Sequence, residues 1–186
     1  MSIKIIKQIK EKIKDECYRI NHLDWFYDNH LLAVEKSANF LLKKLPKADK
    51  EIVLLGVWLH DIQRVRKIKG DHQKKGAVEA EKVMLEYGYS PDIIKKVQDI
   101  ILSHSCENLI PSTLEGRILA NADAMAHYSN NFYLQIAVLG QRSLEELKIW
   151  ALEKLARDYN KRMFFPFAKK EIKKRHDILM QLFTMK

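Results

Sequence analysis

Residues 52–61 read IVLLGVWLHD, an unbroken apolar run that ends in a histidine and an aspartate. Such a run is either a fully buried strand or a buried helix, and periodicity alone does not separate the two. Its length and the Ala/Leu-rich segments elsewhere in the chain point to a helix. A core element fixes its own terminus, so the polar pair His60-Asp61 at its end is well placed to face a cleft.

Upstream, LPKAD at 45–49 separates this run from a helical pattern that begins near Tyr27, carries Leu31, Leu32, Val34, Ala38, Leu41 and Leu42, and stops at Pro46. His30 falls near its start. Residues 3–18 place Ile3, Ile6, Ile9, Ile13 and Cys17 at helical spacing, which predicts an amphipathic opening helix. Downstream, QRVRKIKGD at 63–71 changes composition abruptly and reads as a basic loop. Helical periodicity resumes from Lys74 to Glu86 and closes at a Tyr87-Gly88 C-cap. It restarts after Ser90-Pro91 with Ile94, Val97, Ile101 and His104. Ser112 and Glu115 have capping-box spacing ahead of Ile118, Leu119, Ala122 and Met125, which puts Asp123 inside a helix. Two more helices are expected over 143–159 and 167–184. The expected fold class is all-α: a single helical domain over 1–186, with its site-bearing core at about 20–130.

The chain has 186 residues and 47% hydrophobic composition, enough apolar material for the core of one domain. Lys and Arg number 33 against 24 Asp and Glu, a formal charge of +9 that favours encounter with anionic partners. That balance does not choose between nucleotide, nucleic acid and lipid surface, and a solvated lysine-rich exterior accounts for it equally. Cys17 and Cys106 have no CxxC spacing and cannot build a disulfide framework, so a cytoplasmic location is expected. The opening MSIKIIKQIKEKIKDE breaks its apolar residues with charge too often for a signal peptide, and no stretch reaches the roughly 18 apolar residues of a membrane span. Neither targeting nor membrane insertion is expected. The chain has no GxxxxGK[ST] loop and no complete GxGxxG fingerprint, which argues against ATP-driven work and Rossmann-type redox chemistry.

Adjacent side chains diverge by about 100° on a helix, so His60 and Asp61 can approach one ion only if the helix opens at its last turn. Imidazole nitrogen and carboxylate oxygen suit a first-row divalent metal. The dipeptide alone specifies little: His176-Asp177 repeats it among Lys173, Lys174 and Arg175, where ordinary surface is expected.

The order is more specific. His30 in HLLAV, His60-Asp61 in GVWLHDIQR and Asp123 in LANADAMAH together resemble the HD superfamily of metal-dependent phosphohydrolases, from about residue 20 to residue 130. The resemblance implies a mostly helical domain in which His30, His60, Asp61 and Asp123 bind a divalent cation such as Mn, Zn, Fe, Co, Ni or Mg. His72, in DHQKKGAVEAE, and His104, in DIILSHS, lie between the motifs, where several members of that superfamily carry further histidines near the cleft. They are expected to bind a second metal, contact phosphate, or steady the water, with one cation as the base expectation. Asp61, His72 and His104 are the expected catalytic residues. A carboxylate buried in an apolar helix, as Asp123 would be, needs a metal or a dense hydrogen-bond network. His22 and Asp24 read as peripheral. His127, one turn beyond Asp123, can share its face but reads as structural first. Trp25, Phe26 and Tyr27 suit either the core or stacking on a base.

The implied reaction is hydrolysis of a phosphoester or phosphoanhydride by water activated on the metal. Arg64, Arg66, Lys67 and Lys69 follow the His-Asp pair and are expected to bind phosphate, Arg64 foremost because a guanidinium offers a planar fork. The expected substrate is a nucleotide or related phosphorylated small molecule in preference to nucleic acid. Two alternatives stand beside this reading: a non-catalytic basic HD-fold module that binds nucleotide or nucleic acid, and an interaction scaffold with a structural metal in a closed coordination shell. No oligomeric order is predicted.

Overall fold

The protein is described by a computed structural model covering residues 2–128, 131–140 and 142–185. The apolar run is a helix: α4 spans Lys50–Leu59, and every residue from Ile52 to Leu59 is buried. A helix with no polar face has to be surrounded. Around α4 pack α1 (Ser2–Asp15), α3 (Leu32–Lys44), α6 (His72–Glu86), α7 (Pro91–Ser103) and α8 (Leu114–His127). Asp49 starts α4 by accepting from the backbone N–H of Glu51 and Ile52 at 3.0 and 3.3 Å, a cap worth about 1 kcal/mol. Gly56 lets α7 and α8 approach closely, since a Cβ there would lie 2.6 Å from Ile100 Cδ1 and 3.0 Å from Leu119 Cδ2.

The expected stripe is buried at Ile6, Ile9 and Ile13 in α1 and at Cys17 in the π-helical turn Glu16–Ile20, but Ile3 is 75% exposed. After α2 (Asp24–Phe26), residues Tyr27–Leu31 form a π-helical turn that leads into α3 and carries His30. The segment 63–71 is not the continuous loop its composition suggested. It opens with the short α5 (Ile62–Val65), in which Ile62, Gln63 and Val65 are buried, and α6 then begins at His72 because Asp71 caps the N–H groups of Gln73 and Lys74. The predicted Ser112–Glu115 capping box does not form. Thr113 caps α8 through Gly116 N at 3.0 Å, and Glu115 instead accepts from Asp49 N at 2.9 Å, tying the starts of α8 and α4 together.

The remaining chain forms α9 (Phe132–Val138), α10 (Leu144–Arg157) with a Ser143–Glu146 capping box, a π-helical turn at Asp158–Arg162, and α11 (Pro166–Thr184). Both the turn at Asp158–Arg162 and α11 pack on α8, so the C-terminal layer covers the helix that carries Asp123. Among the described residues there is no strand, and no helix is long and apolar enough to cross a membrane.

Candidate metal centre

Helix α4 ends where chemistry begins. His60 still has helical backbone angles, whereas Asp61 swings to φ −112° and ψ 21°, so the helix opens at the point required for both side chains to face one centre. His60 is fully buried, and its Nδ1 lies 2.9 Å from Val57 O. Donating to that carbonyl fixes the tautomer and leaves Nε2 as the acceptor. Gly76 keeps α6 against this joint: a Cβ there would lie 3.1 Å from His60 O.

His30 arrives from the π-helical turn and Asp123 from the middle of α8. His30 Nε2 stands 3.5 Å from Asp61 Oδ2 and 3.4 Å from Asp123 Oδ1, and His60 Nε2 stands 3.6 and 3.9 Å from the same two oxygens. These gaps are too long for good hydrogen bonds. They match the spacing of ligand atoms that share one cation at about 2.1 Å. Both ring nitrogens of His30, His60 Nε2 and Asp123 Oδ1 are buried without a hydrogen-bond partner. Leaving such groups unpaired costs about 1–3 kcal/mol each, which a bound cation would relieve. The donor set therefore fits a divalent metal.

Burial by itself would raise the Asp61 carboxyl, but Arg64, then His60 and His30, hold it well below the usual carboxylate range. Asp123 behaves likewise, with Arg162 the leading opposing charge, followed by His127, His30 and His60. Both are therefore anionic at neutral pH. His104 donates from Nδ1 to Ile101 O at 2.6 Å, and burial lowers its pKa to about 3, so it is neutral with Nε2 available. Burial also lowers His72, at the first position of α6. Ligating atoms of Asp61, His72 and His104 lie within 4.8 Å of one another, a second cluster that shares Asp61 with the first.

The four basic residues that follow the His-Asp pair separate. Arg64 lines the cavity over the centre and donates from Nε to Asp61 Oδ1 at 3.0 Å. Arg66 does not: its guanidinium joins both oxygens of Glu16 at 2.7 and 2.8 Å and Glu79 Oε2 at 2.7 Å, bracing the end of α1 against α6. Lys67 and Lys69 are exposed and lie outside the cavity lining; Lys67 turns the chain at φ +53°. Of the four residues expected to bind phosphate, only Arg64 lines this cavity. His22 and Asp24 are exposed and also outside the lining, Trp25 and Phe26 are part of it, and Tyr27 packs against Trp58. His176 is not plain surface, since it stacks on Tyr159 with ring centroids 4.0 Å apart, while Asp177 pairs with Lys173.

The cavity, about 320 Å³, takes its other cations from the C-terminal layer: Arg142, Lys154, Arg157 and Arg162. None of these four stood out in the sequence, and His127 does share the face of Asp123. His127 stacks on His30 with an interplanar angle of 10°, places Nε2 3.5 Å from Asp123 Oδ1, and brings Nδ1 within 2.8 Å of Asp158 Oδ2. With His30 and Asp123 it forms another cluster of possible ligands. Burial lowers its pKa to about 4, keeping the imidazole neutral. A signal was present: Asp158 and Arg162 continue the register of the buried Leu147, Ala151 and Leu155, so two charged groups occupy core positions.

Fold and centre together define a helical domain that gathers histidines and aspartates from distant parts of the chain around a site fit for a divalent metal. The HD-domain family model matches residues 27–127, more than half of the sequence, and the chain belongs to the HD domain family. An HD-superfamily hydrolase from Bacillus thuringiensis shares its fold with a TM-score of 0.70 at 18% identity, over 98% of this chain and 94% of the other. A predicted HD-superfamily hydrolase from an uncultured Thermotogales bacterium gives a TM-score of 0.56 at 20% identity, over 97% and 86%. No curated protein sequence is significantly similar to this chain.

Proposed function

We propose that the protein is a metal-dependent phosphohydrolase that uses metal-activated water on a nucleotide or a related small phosphorylated molecule in the cytoplasm. The observation that carries this reading is the convergence of His30 Nε2, His60 Nε2 and Asp123 Oδ1, unpaired and buried, with Asp61, where His30, Asp61 and Asp123 line a cavity rich in cations. His30, His60, Asp61 and Asp123 would hold one divalent cation, and Asp61, His72 and His104 a second. Imidazole donors favour Mn, Fe, Co, Ni or Zn over Mg. A divalent cation supplies acidified water and charge to offset the phosphoryl oxygens in the transition state.

The protein's own groups supply orientation and balance. Asp61, Asp123 and Asp158 face Arg64, Lys154 and Arg162, so with neutral imidazoles these charges sum to zero before a cation is added. A divalent cation makes the centre positive, which an incoming phosphate offsets. Arg64 orients Asp61 through its Oδ1 and stands at the mouth, 53% exposed at its side chain, where a substrate oxygen can reach it. The open cavity disfavours a closed structural-metal site.

The test is release of product from nucleoside mono-, di- and triphosphates, sugar phosphates and oligonucleotides by metal-depleted protein reconstituted with each cation. Turnover of small phosphorylated molecules is expected. Cleavage of oligonucleotides alone would overturn the substrate class, and tight phosphate binding without turnover under any cation would favour the binding-module alternative.

A further inference from the structure

Asp123 divides its two oxygens between different tasks. Oδ1 faces the imidazoles of His30, His60 and His127, whereas Oδ2 accepts from Arg162 Nη2. Arg162 is 2% exposed, and its other terminal nitrogen donates to Asp158 Oδ1 at 3.0 Å. Asp158 is fully buried, lies 3.4 Å from Lys154 Nζ, and uses its second oxygen for His127 Nδ1. One guanidinium therefore links the carboxylate on α8 to the carboxylate that holds His127. All three groups of this brace, Lys154, Asp158 and Arg162, lie beyond the residues 27–127 that match the family model.

We propose that Arg162 is a positioning residue and a built-in counter-charge for the metal centre, an inference that rests on the cation-binding reading above. It holds Asp123 by Oδ2, leaving Oδ1 for the cation, and it draws on the charge of that carboxylate; the charge effect outweighs the aim it gives the ligand. Asp158 moderates the effect by sharing the guanidinium. A buried positive charge so near a divalent cation repels it strongly in a medium of low effective dielectric constant. Arg162 thus weakens cation binding while keeping the ligand in place. A residue that only held the fold together would act in the opposite direction, because its loss would loosen the ligands and weaken binding.

The two roles predict different signs, which calorimetric titration of metal-depleted protein with Mn²⁺ reads without any substrate. Arg162→Gln is expected to bind Mn²⁺ at least tenfold more tightly than the parent while its metal-free melting temperature falls. Asp158→Asn leaves Arg162 to bear on Asp123 alone and also removes the partner of His127 Nδ1, so it is expected to bind Mn²⁺ at least about tenfold more weakly. If Arg162→Gln does not fold without cation, Arg162→Met is read in its place: it removes the charge while filling the same buried space, so a tightening of the same sign is expected. A folded Arg162 variant with unchanged or weaker affinity overturns the proposal, as does an Asp158→Asn variant that binds as tightly as the parent or more so. Failure of the parent itself to bind Mn²⁺ or any other divalent cation is a separate result, and it overturns the metal centre.

Discussion

His127 and Asp158 meet at 2.8 Å, Nδ1 to Oδ2, across 31 positions of sequence and both fully inside the protein. A carboxylate on the far nitrogen of an imidazole sets the tautomer and raises the basicity of the near one, and loss of such a group typically costs 10–100-fold in metal affinity. His127→Ala removes the imidazole that this carboxylate orients and is expected to weaken divalent-cation binding by at least about 10-fold. A calorimetric titration that finds parent-like affinity in a folded His127→Ala protein would place this imidazole outside the centre.

Asp61 is shared by the two clusters and anchored by Arg64. Asp61→Ala is expected to lower metal-dependent hydrolysis at least roughly 100-fold at saturating cation, with the helical circular-dichroism signal retained. Recovery at high cation would assign the defect to occupancy. Near-normal rate and affinity would remove Asp61 from the site.

The cluster of Asp61, His72 and His104 makes a claim about number. Elemental analysis of protein loaded at saturating cation is expected to give two ions per chain for the parent and one for His104→Ala. One ion in both proteins would leave His72 and His104 with a supporting role.

Arg66 should behave as a brace and nothing more. Removing one partner of a mostly buried ion pair strands the others, so Arg66→Ala is expected to cost about 2 kcal/mol in urea unfolding of metal-free protein, with cation affinity unchanged. Its partner Glu79 has a lowered pKa, chiefly through its bond to Lys82 and then, against burial, through Arg66. A depressed carboxylate stabilises the fold above its unfolded pKa, and this contribution disappears as pH falls through the folded value. Glu79→Gln should therefore lose less stability than the parent on acidification below the ordinary glutamate range. Equal losses would show that the pair contributes nothing to acid unfolding.

Much of the helical order was legible because an apolar run eight residues long, a Gly88 turn at φ +73° and a proline at the start of α7 leave few options. The approach of positions 30, 60, 61 and 123 was legible from motif order. Which cations face the cavity was not. Reading 63–71 as a loop hid the short α5 and its end at Arg66, where the guanidinium turns to Glu16 and Glu79 instead of the cavity. The brace of Lys154, Asp158 and Arg162 escaped because its three charges resemble a solvated face until the apolar register of α10 is carried past residue 155.

The π-helical turn at Tyr27–Leu31 makes the centre depend on residue count as well as residue identity. Each residue of a helix adds about 100° of rotation, so removing one from this widened turn would swing His30 away from Asp61 and Asp123 while every candidate ligand stayed in the sequence. Deletion of Asn29 is expected to abolish cation binding that Asn29→Ala retains. In this segment, drift in length should be far less tolerated than drift in composition.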